Sequence, residues 1–281
     1  MSIMKKLREY LNRPLSFVMF LLIIISTVIT ALTVVFIIGY IFIKGVPNLS
    51  LDLFSLKYSS SNQSMLPSII NTVYLTALTL LLSVPIGIFS AIYLAEYSRK
   101  NSFFVKIINI ANETLSGIPS IVYGLFGFLA FVISKKWGYS LLAGVITLAI
   151  MVLPLIIRTS QEAMLGVDNT FREASYGLGA GKLRTVFKIV LPSAMPGILS
   201  GIILAIGRIV GETAALIYTA GTVPEAATKL TSSSRTISVH LYCLLNEGLY
   251  TEQAYATAVV LIVFVVVINA LSNALAKKIM K

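Results

Sequence analysis

The sequence predicts an all-α integral membrane protein with six transmembrane helices and cytoplasmic N- and C-termini. Three observations carry this expectation. Apolar residues make up 57% of the 281 positions and charged residues only 12%, and the mean hydropathy of +0.91 lies far outside the soluble range. The apolar residues gather into runs close to the roughly 20 residues that a bilayer-crossing helix needs. The basic residues, finally, divide unevenly between alternate connecting segments.

The first run covers about 17–43. It is too long for a signal-peptide core and no small-residue cleavage site follows it, so it reads as an uncleaved span. A polar, serine-rich segment (44–66) leads to the second span, about 67–94, with an expected bend at Pro85-Ile86-Gly87. After a short charged connection, 103–114 combines Phe103, Phe104, Ile107, Ile108 and Ala111 with Lys106, Asn109, Asn112 and Glu113. That is the pattern of an amphipathic helix at the membrane interface, with Glu113 in solvent. The third span, about 117–133, is short; Pro119, Gly124 and Gly127 predict a bent and closely packed helix. Spans four to six follow at about 139–160, 193–222 and 251–276. They are separated by a polar loop at 161–192 and a mixed, weakly amphipathic connection at 223–250. No connection is long and polar enough to fold alone, so residues 1–281 read as a single transmembrane domain.

One set of alternate segments holds the N-terminus, 96–106, 171–192 and the C-terminus, and carries 14 lysines and arginines; the opposite set carries 6. Basic residues accumulate on the cytoplasmic side, which places both termini and the 171–192 segment there. Topology therefore accounts for the net charge of +11, and no nucleic-acid partner is expected. A single cysteine, Cys243, excludes an intrachain disulfide and a cysteine-based metal cage, and the lone His240 adds no metal site.

The stretch Phe171–Pro192, FREASYGLGAGKLRTVFKIVLP, fits neither a span nor a short turn. Its pattern predicts two short helices around a glycine hinge. Arg172–Leu178 forms the first, Gly177, Gly179 and Gly181 interrupt it, and Leu183–Leu191 forms the second before Pro192 closes it. The run Gly177 to Leu183 resembles a phosphate-binding loop only superficially. Its first glycine is one place late, and Leu183 stands where Ser or Thr is required. With no nucleophile elbow, HExxH or paired-carboxylate site either, the chain is not expected to be an enzyme or to bind a cofactor or metal.

Charges inside spans are the other candidates. Arg208 falls about 22 Å along the fifth span at 1.5 Å per residue, well inside the hydrocarbon. A charge there costs roughly 2.5–3.5 kcal/mol, so it should face a bundle interior or a wet cavity. Glu212, four residues on, is expected to share its helix face and pair with it. A packing ion pair and an anion path or gate both fit, because a guanidinium presents forked donors matched to oxyanions. Arg158 closes the fourth span, where snorkelling to the interface accounts for it and a path role is the rival. Gly197/Gly201 and Gly207/Gly211 allow close approach of another helix, from this chain or from a second subunit.

The spacing of Glu173-Ala174-Ser175, three residues, Gly179, nine residues, then Ile189-x-Leu191-Pro192 resembles the EAA loop of ABC-importer permeases. Ser175 stands where that family usually has alanine. Gly117–Gly124 (GIPSIVYG) and Gly207–Gly221 (GRIVGETAALIYTAG) are similar to signature stretches of phosphate-importer permeases of the PstA type. The resemblance runs from about Ile69 to Asn273. It implies the type I ABC importer permease fold in the plasma membrane of a prokaryote. It also implies an ATPase-coupling role for Arg172, Glu173, Ala174, Ser175, Gly179, Ile189, Leu191 and Pro192. Arg208, Glu212 and Arg158 would serve phosphate passage or gating. The implied partners are a second permease (PstC type), ATPase subunits (PstB type) carrying ATP and magnesium, an extracytoplasmic phosphate-binding protein (PstS type) and membrane lipid. A permease of the same architecture for another oxyanion or small solute is the competing reading.

Overall fold

The computed structural model describes residues 14–98 and 102–279. Of the basic residues that set the orientation, Lys5, Lys6, Arg8, Arg13, Arg99, Lys100 and Lys281 lie outside the described residues. Every regular element among the described residues is helical. Five helices are long and apolar enough to cross a membrane, and a bent pair makes up to six.

Helix α1 (Pro14–Gly45) is an almost wholly apolar rod set against the last helix, α11 (Thr251–Ile279). Gly45 permits that contact, since a Cβ there would strike the Tyr255 carbonyl and the Val259 side chain. The rest of α1 turns apolar side chains outward, as a helix in lipid does. Helix α2 (Leu66–Ile92) accommodates Pro85 without ending and widens into a π-helical turn at Tyr93–Tyr97. It packs along α5 (Leu141–Leu165), whose first turn is capped by the Ser140 hydroxyl accepting from Ala143 N at 3.3 Å. Leu148, Val152 and Ile156 of α5 form the centre of the core with Leu75, Ile209 and Leu216.

The third span is bent as expected. Helix α3 (Phe103–Gly117) meets α4 (Ser120–Gly127, wound on as a π-helical segment to Ser134) at 101° across Ile118-Pro119. Gly124 is required there: a Cβ would lie 2.8 Å from the Ala215 Cα. Gly127 abuts Thr147 and Thr219 in the same way.

Two expectations about the fifth span are corrected. Pro192 does not close a separate helix. The short helix α7 (Lys182–Thr185) runs through a π-helical turn at Val186–Val190 into α8 (Leu191–Val210), making one element of 29 residues. Proline lacks an N–H and its ring crowds the preceding turn; placed in the first turn of α8, after the widened turn, Pro192 interrupts nothing. Nor does the span continue to 222. The helix stops at Val210, Gly211–Thr213 is irregular, and a separate helix α9 (Ala214–Thr219) begins after it.

The connection 223–250, expected as a mixed loop, contains helix α10 (Ile237–Glu247), with Ile237, Val239, His240 and Leu244 fully buried. Asn71 of α2 pins the preceding strip. Its amide donates to the carbonyls of Glu225 (2.9 Å) and Arg235 (3.1 Å) and its oxygen accepts from Ala227 N (2.8 Å). Thr72 adds a fourth tie, accepting from Ile237 N at 3.0 Å. The far side of the break is thereby fixed to α2 and α5, where the Ser140 N–H also donates to the Thr219 carbonyl.

Candidate functional site

The loop between the fourth and fifth spans is built around α6 (Asn169–Gly177), which begins at Asp168. The Asp168 carboxylate accepts from the Thr170 N–H (2.9 Å) and hydroxyl (3.0 Å), which holds its pKa below the usual range. The helix ends with the Leu178 N–H on the Ala174 carbonyl and the Ala180 N–H on the Ser175 carbonyl. Gly179 follows at φ +81°, a left-handed conformation that favours glycine. The chain then turns directly into the 182–210 element.

The residues predicted for this loop fall into two groups. Phe171, Glu173, Ala174, Leu178 and Gly179 are exposed. Leu178 is 90% exposed, Leu183 65% and Phe171 55%, an unusual concentration of apolar surface outside the lipid-facing helices. Phe171, Ala174, Leu178, Gly179, Arg184 and Ile189 border a hollow of about 410 Å³. Leu191 instead packs against the inner cluster of Ile92, Met164 and Ile198, and Pro192 is exposed one turn beyond the loop.

Arg172 points inward. Its guanidinium bonds Glu96 Oε1 through Nη2 (2.6 Å) and Nε (3.1 Å), and donates to the carbonyls of Met164 (2.8 Å) and Val167 (2.7 Å). It thus clamps α6 to the C-terminal ends of α2 and α5. Lys182 makes a second tie, with Nζ 4.9 Å from the centre of the Tyr97 ring. Sequence reasoning does not single out Glu96 and Tyr97 as site residues, because nothing local marks a partner 76 positions away.

Ser175, the departure from the usual alanine, is buried with its hydroxyl 2.8 Å from that of Thr185. The hydroxyl added on one side of the turn is matched on the other. Thr185→Val would strand the Ser175 hydroxyl at a cost of about 1–3 kcal/mol. Ser175→Ala costs less, since Thr185 keeps its bond to the Gly181 carbonyl at 3.2 Å. Thermal melting of the purified protein should show Thr185→Val as the more damaged variant, with the double variant recovering part of the loss. Equal or reversed losses would mean that the two hydroxyls do not depend on each other.

In the membrane half, the expected pairing of Arg208 with Glu212 is not formed. The helix that would align them ends at Val210. Glu212 is buried and its Oε1 accepts from the Ala215 N–H at 3.0 Å, capping α9. Arg208, in the last turn of α8, lines an open groove of about 570 Å³ with Leu155, Ser200, Leu204, Gly207 and Asn269, and has no carboxylate within 4 Å among the described residues. Arg158 pairs with Glu162 at 3.0 Å, both side chains being largely exposed. Gly197 and Gly201 seat α8 against Ala163 and Thr159 of α5, so that pair is explained within the chain, whereas nothing approaches Gly207.

Residues 83–281 match the family model described as the binding-protein-dependent transport system inner membrane component. The chain belongs to this family. Among curated relatives of this permease, the probable ABC transporter permease protein YqgI of Bacillus subtilis is 32% identical over 82% of this chain and 84% of its own length. The phosphate transport system permease protein PstA of Haemophilus influenzae is 35% identical over 77% of each chain. That of Pasteurella multocida is 35% identical over 80% of this chain and 81% of its own. Among solved structures, a bacterial ABC transporter involved in alginate import superposes with a TM-score of 0.67 at 18% identity, covering 99% of this permease and 100% of that chain. The MetNI methionine ABC transporter gives 0.58 at 16% identity, covering 76% and 94%. These two show the fold alone, an all-helical one with several helices long and apolar enough to cross a membrane.

Proposed function

We propose that this permease is the PstA-type subunit of an ATP-driven inorganic phosphate importer. The observation that carries the mechanism is the single 29-residue element from Lys182 to Val210. Its cytoplasmic end belongs to the apolar loop surface, and Arg208 sits in its last turn, about 39 Å away at 1.5 Å per residue. A cytoplasmic ATPase docked on Phe171, Leu178 and the hollow beside Gly179 would move this rod as a unit. The rod ends at Gly211–Thr213, beyond which α9 is bonded to the body of the protein, so Gly211–Thr213 serves as the hinge. Arg208 moves with the rod while Glu212 stays with α9. Each swing therefore changes the separation of the two charges, which suits a gate for an anion better than a fixed packing pair.

The named PstA relatives support phosphate as the cargo. In the assembly proposed, a PstC-type permease completes the path, PstB-type subunits hold ATP and magnesium, and a PstS-type protein delivers phosphate; this chain holds no cofactor. Arg208→Gln should lower phosphate uptake about 10- to 100-fold, the worth of about 1.5–3 kcal/mol for a hydrogen bond to a charged group, with assembly intact. In reconstituted complexes, inorganic phosphate with its binding protein should stimulate ATP hydrolysis. Stimulation by a different solute only would replace phosphate as the cargo, and unimpaired uptake by Arg208→Gln would return Arg208 to packing.

A further inference from the structure

Two basic side chains lie buried where the 223–250 connection meets the segment between α1 and α2. Arg235 is 4% exposed and His240 0%. The guanidinium carbon lies 4.7 Å from the centre of the Tyr58 ring, and that ring meets the imidazole edge-on at 6.4 Å. Arg235 has no carboxylate within 4 Å among the described residues. Its Nε and Nη2, the same two atoms that hold Glu96 in the Arg172 clamp, lack hydrogen-bond partners here. So do both ring nitrogens of His240. A buried charge without a counter-charge is costly, and a cation–π contact offsets only part of that cost.

The segment that covers them is tied down at its ends. Leu53 and Met65 are buried together against Ala256 of α11, and the Met65 N–H donates to the Leu53 carbonyl at 2.8 Å. The Ser64 hydroxyl bonds the carbonyls of Leu53 and Ser55. Between these ties Leu56, Lys57, Ser59, Ser60 and Ser61 are exposed, and Tyr58 reaches inward. The Tyr58 hydroxyl donates to Gln63 Oε1 at 2.7 Å, and the Gln63 amide donates to the Ser60 carbonyl at 3.0 Å. Gln63 itself holds φ at +44°, a left-handed conformation uncommon for a residue with a Cβ. Closure therefore carries both local strain and an unpaired charge.

A proton on His240 would set a second positive charge beside Arg235. Burial first, and the Arg235 charge second, hold the His240 pKa down to about 3, with the nearby Gln63 backbone acting the other way. The Cys243 thiol lies beside the guanidinium, and Glu247, exposed at the end of α10, acts on that thiol. Helix α2 presents only Asn71 and Thr72, which do not titrate. From α11, Glu252 is exposed and Tyr255 meets Tyr40 of α1. Arg208 lines its own groove, and Glu212 caps α9.

We propose that residues 54–63 are an acid-released strap, closed over Arg235 while His240 is neutral and opened when His240 takes up a proton. The open form lets both cations reach water and bares Tyr58, Arg235 and His240 as one basic surface. Open, the imidazole titrates near its ordinary 6.5; closed, near 3. The open form thus binds more protons between these values, so closure is fully favoured above about 6.5 and is lost as pH falls. The open-to-closed ratio should rise about 30-fold from pH 7.5 to pH 5.

Amide hydrogen exchange of the complete transporter in lipid nanodiscs tests this, with rates corrected for the intrinsic pH dependence of exchange. Protection of 54–63 should fall about 30-fold from pH 7.5 to pH 5, beginning near 6.5, while the α5 core around Leu148 and Val152 keeps its protection. His240→Gln and His240→Leu should each hold the strap's protection level across this range, and either variant that assembles is sufficient. An onset far from 6.5 in the unaltered protein would overturn the strap without recourse to any substitution. So would unchanged protection, a fall shared by the α5 core, or a fall that persists without His240.

Discussion

Replacing Gly179 by proline is expected to reduce ATP-driven uptake to background while the protein still inserts in the membrane. Gly179 holds φ at +81°, and the proline ring confines φ near −65°. The N–H that proline lacks is the one donated to the Tyr176 carbonyl at 2.9 Å. Nothing crowds the site, as a Cβ at this position would meet no heavy atom within 4 Å, so the damage comes from the backbone conformation and the lost hydrogen bond rather than from overlap. Gly179→Ala isolates the left-handed penalty, of roughly 1–2 kcal/mol, and should leave partial uptake. The turn both aligns α6 with the 182–210 rod and borders the hollow proposed for the ATPase. Uptake in vesicles, read against the amount of permease in the membrane, checks this; normal uptake by Gly179→Pro would separate the turn from energy coupling.

The second large effect is expected at Arg172. Arg172→Gln leaves Glu96, whose side chain is 6% exposed, without its partner, and strips donors from the Met164 and Val167 carbonyls. Breaking a buried pair by removing one member costs about 3–5 kcal/mol. The loop should then come loose from α2 and α5. Lower thermal stability, faster proteolysis within 166–182 and ATP hydrolysis with little uptake should appear together. Glu96→Gln in the same chain should restore much of the stability by removing the stranded charge. Equal stability of Arg172→Gln and the unaltered protein would show that the clamp carries no weight. Arg172 thus acts from inside the loop, and the surface offered to a partner is formed by its neighbours.

Much of this is legible along the chain. The apolar runs become the crossings because twenty or so consecutive apolar residues have no better place than lipid. The bend at Pro119 and the tight contacts of Gly124 and Gly127 follow from residue chemistry that acts wherever it is placed. The left-handed Gly179 is marked by glycine itself. The end of the fifth helix is not legible, because Gly-Glu-Thr lies inside an apolar run where hydropathy passes over a cap; Glu212 becomes a cap only when α9 is folded against α4 and α5.

Hydropathy is a sum over neighbouring residues, so it settled the class and the approximate position of the crossings. Which charges meet was decided in three dimensions. Arg172 reaches Glu96 across 76 positions, and Asn71 fixes the strip beyond the hinge across 154 to 164. That Asn109, Asn112 and Glu113 of α3 border one groove with Arg158 and Glu162 of α5 was decided only when the two helices packed side by side. Helical periodicity sorts residues into faces, and only the packing of one helix on another determines which face meets lipid and which meets water.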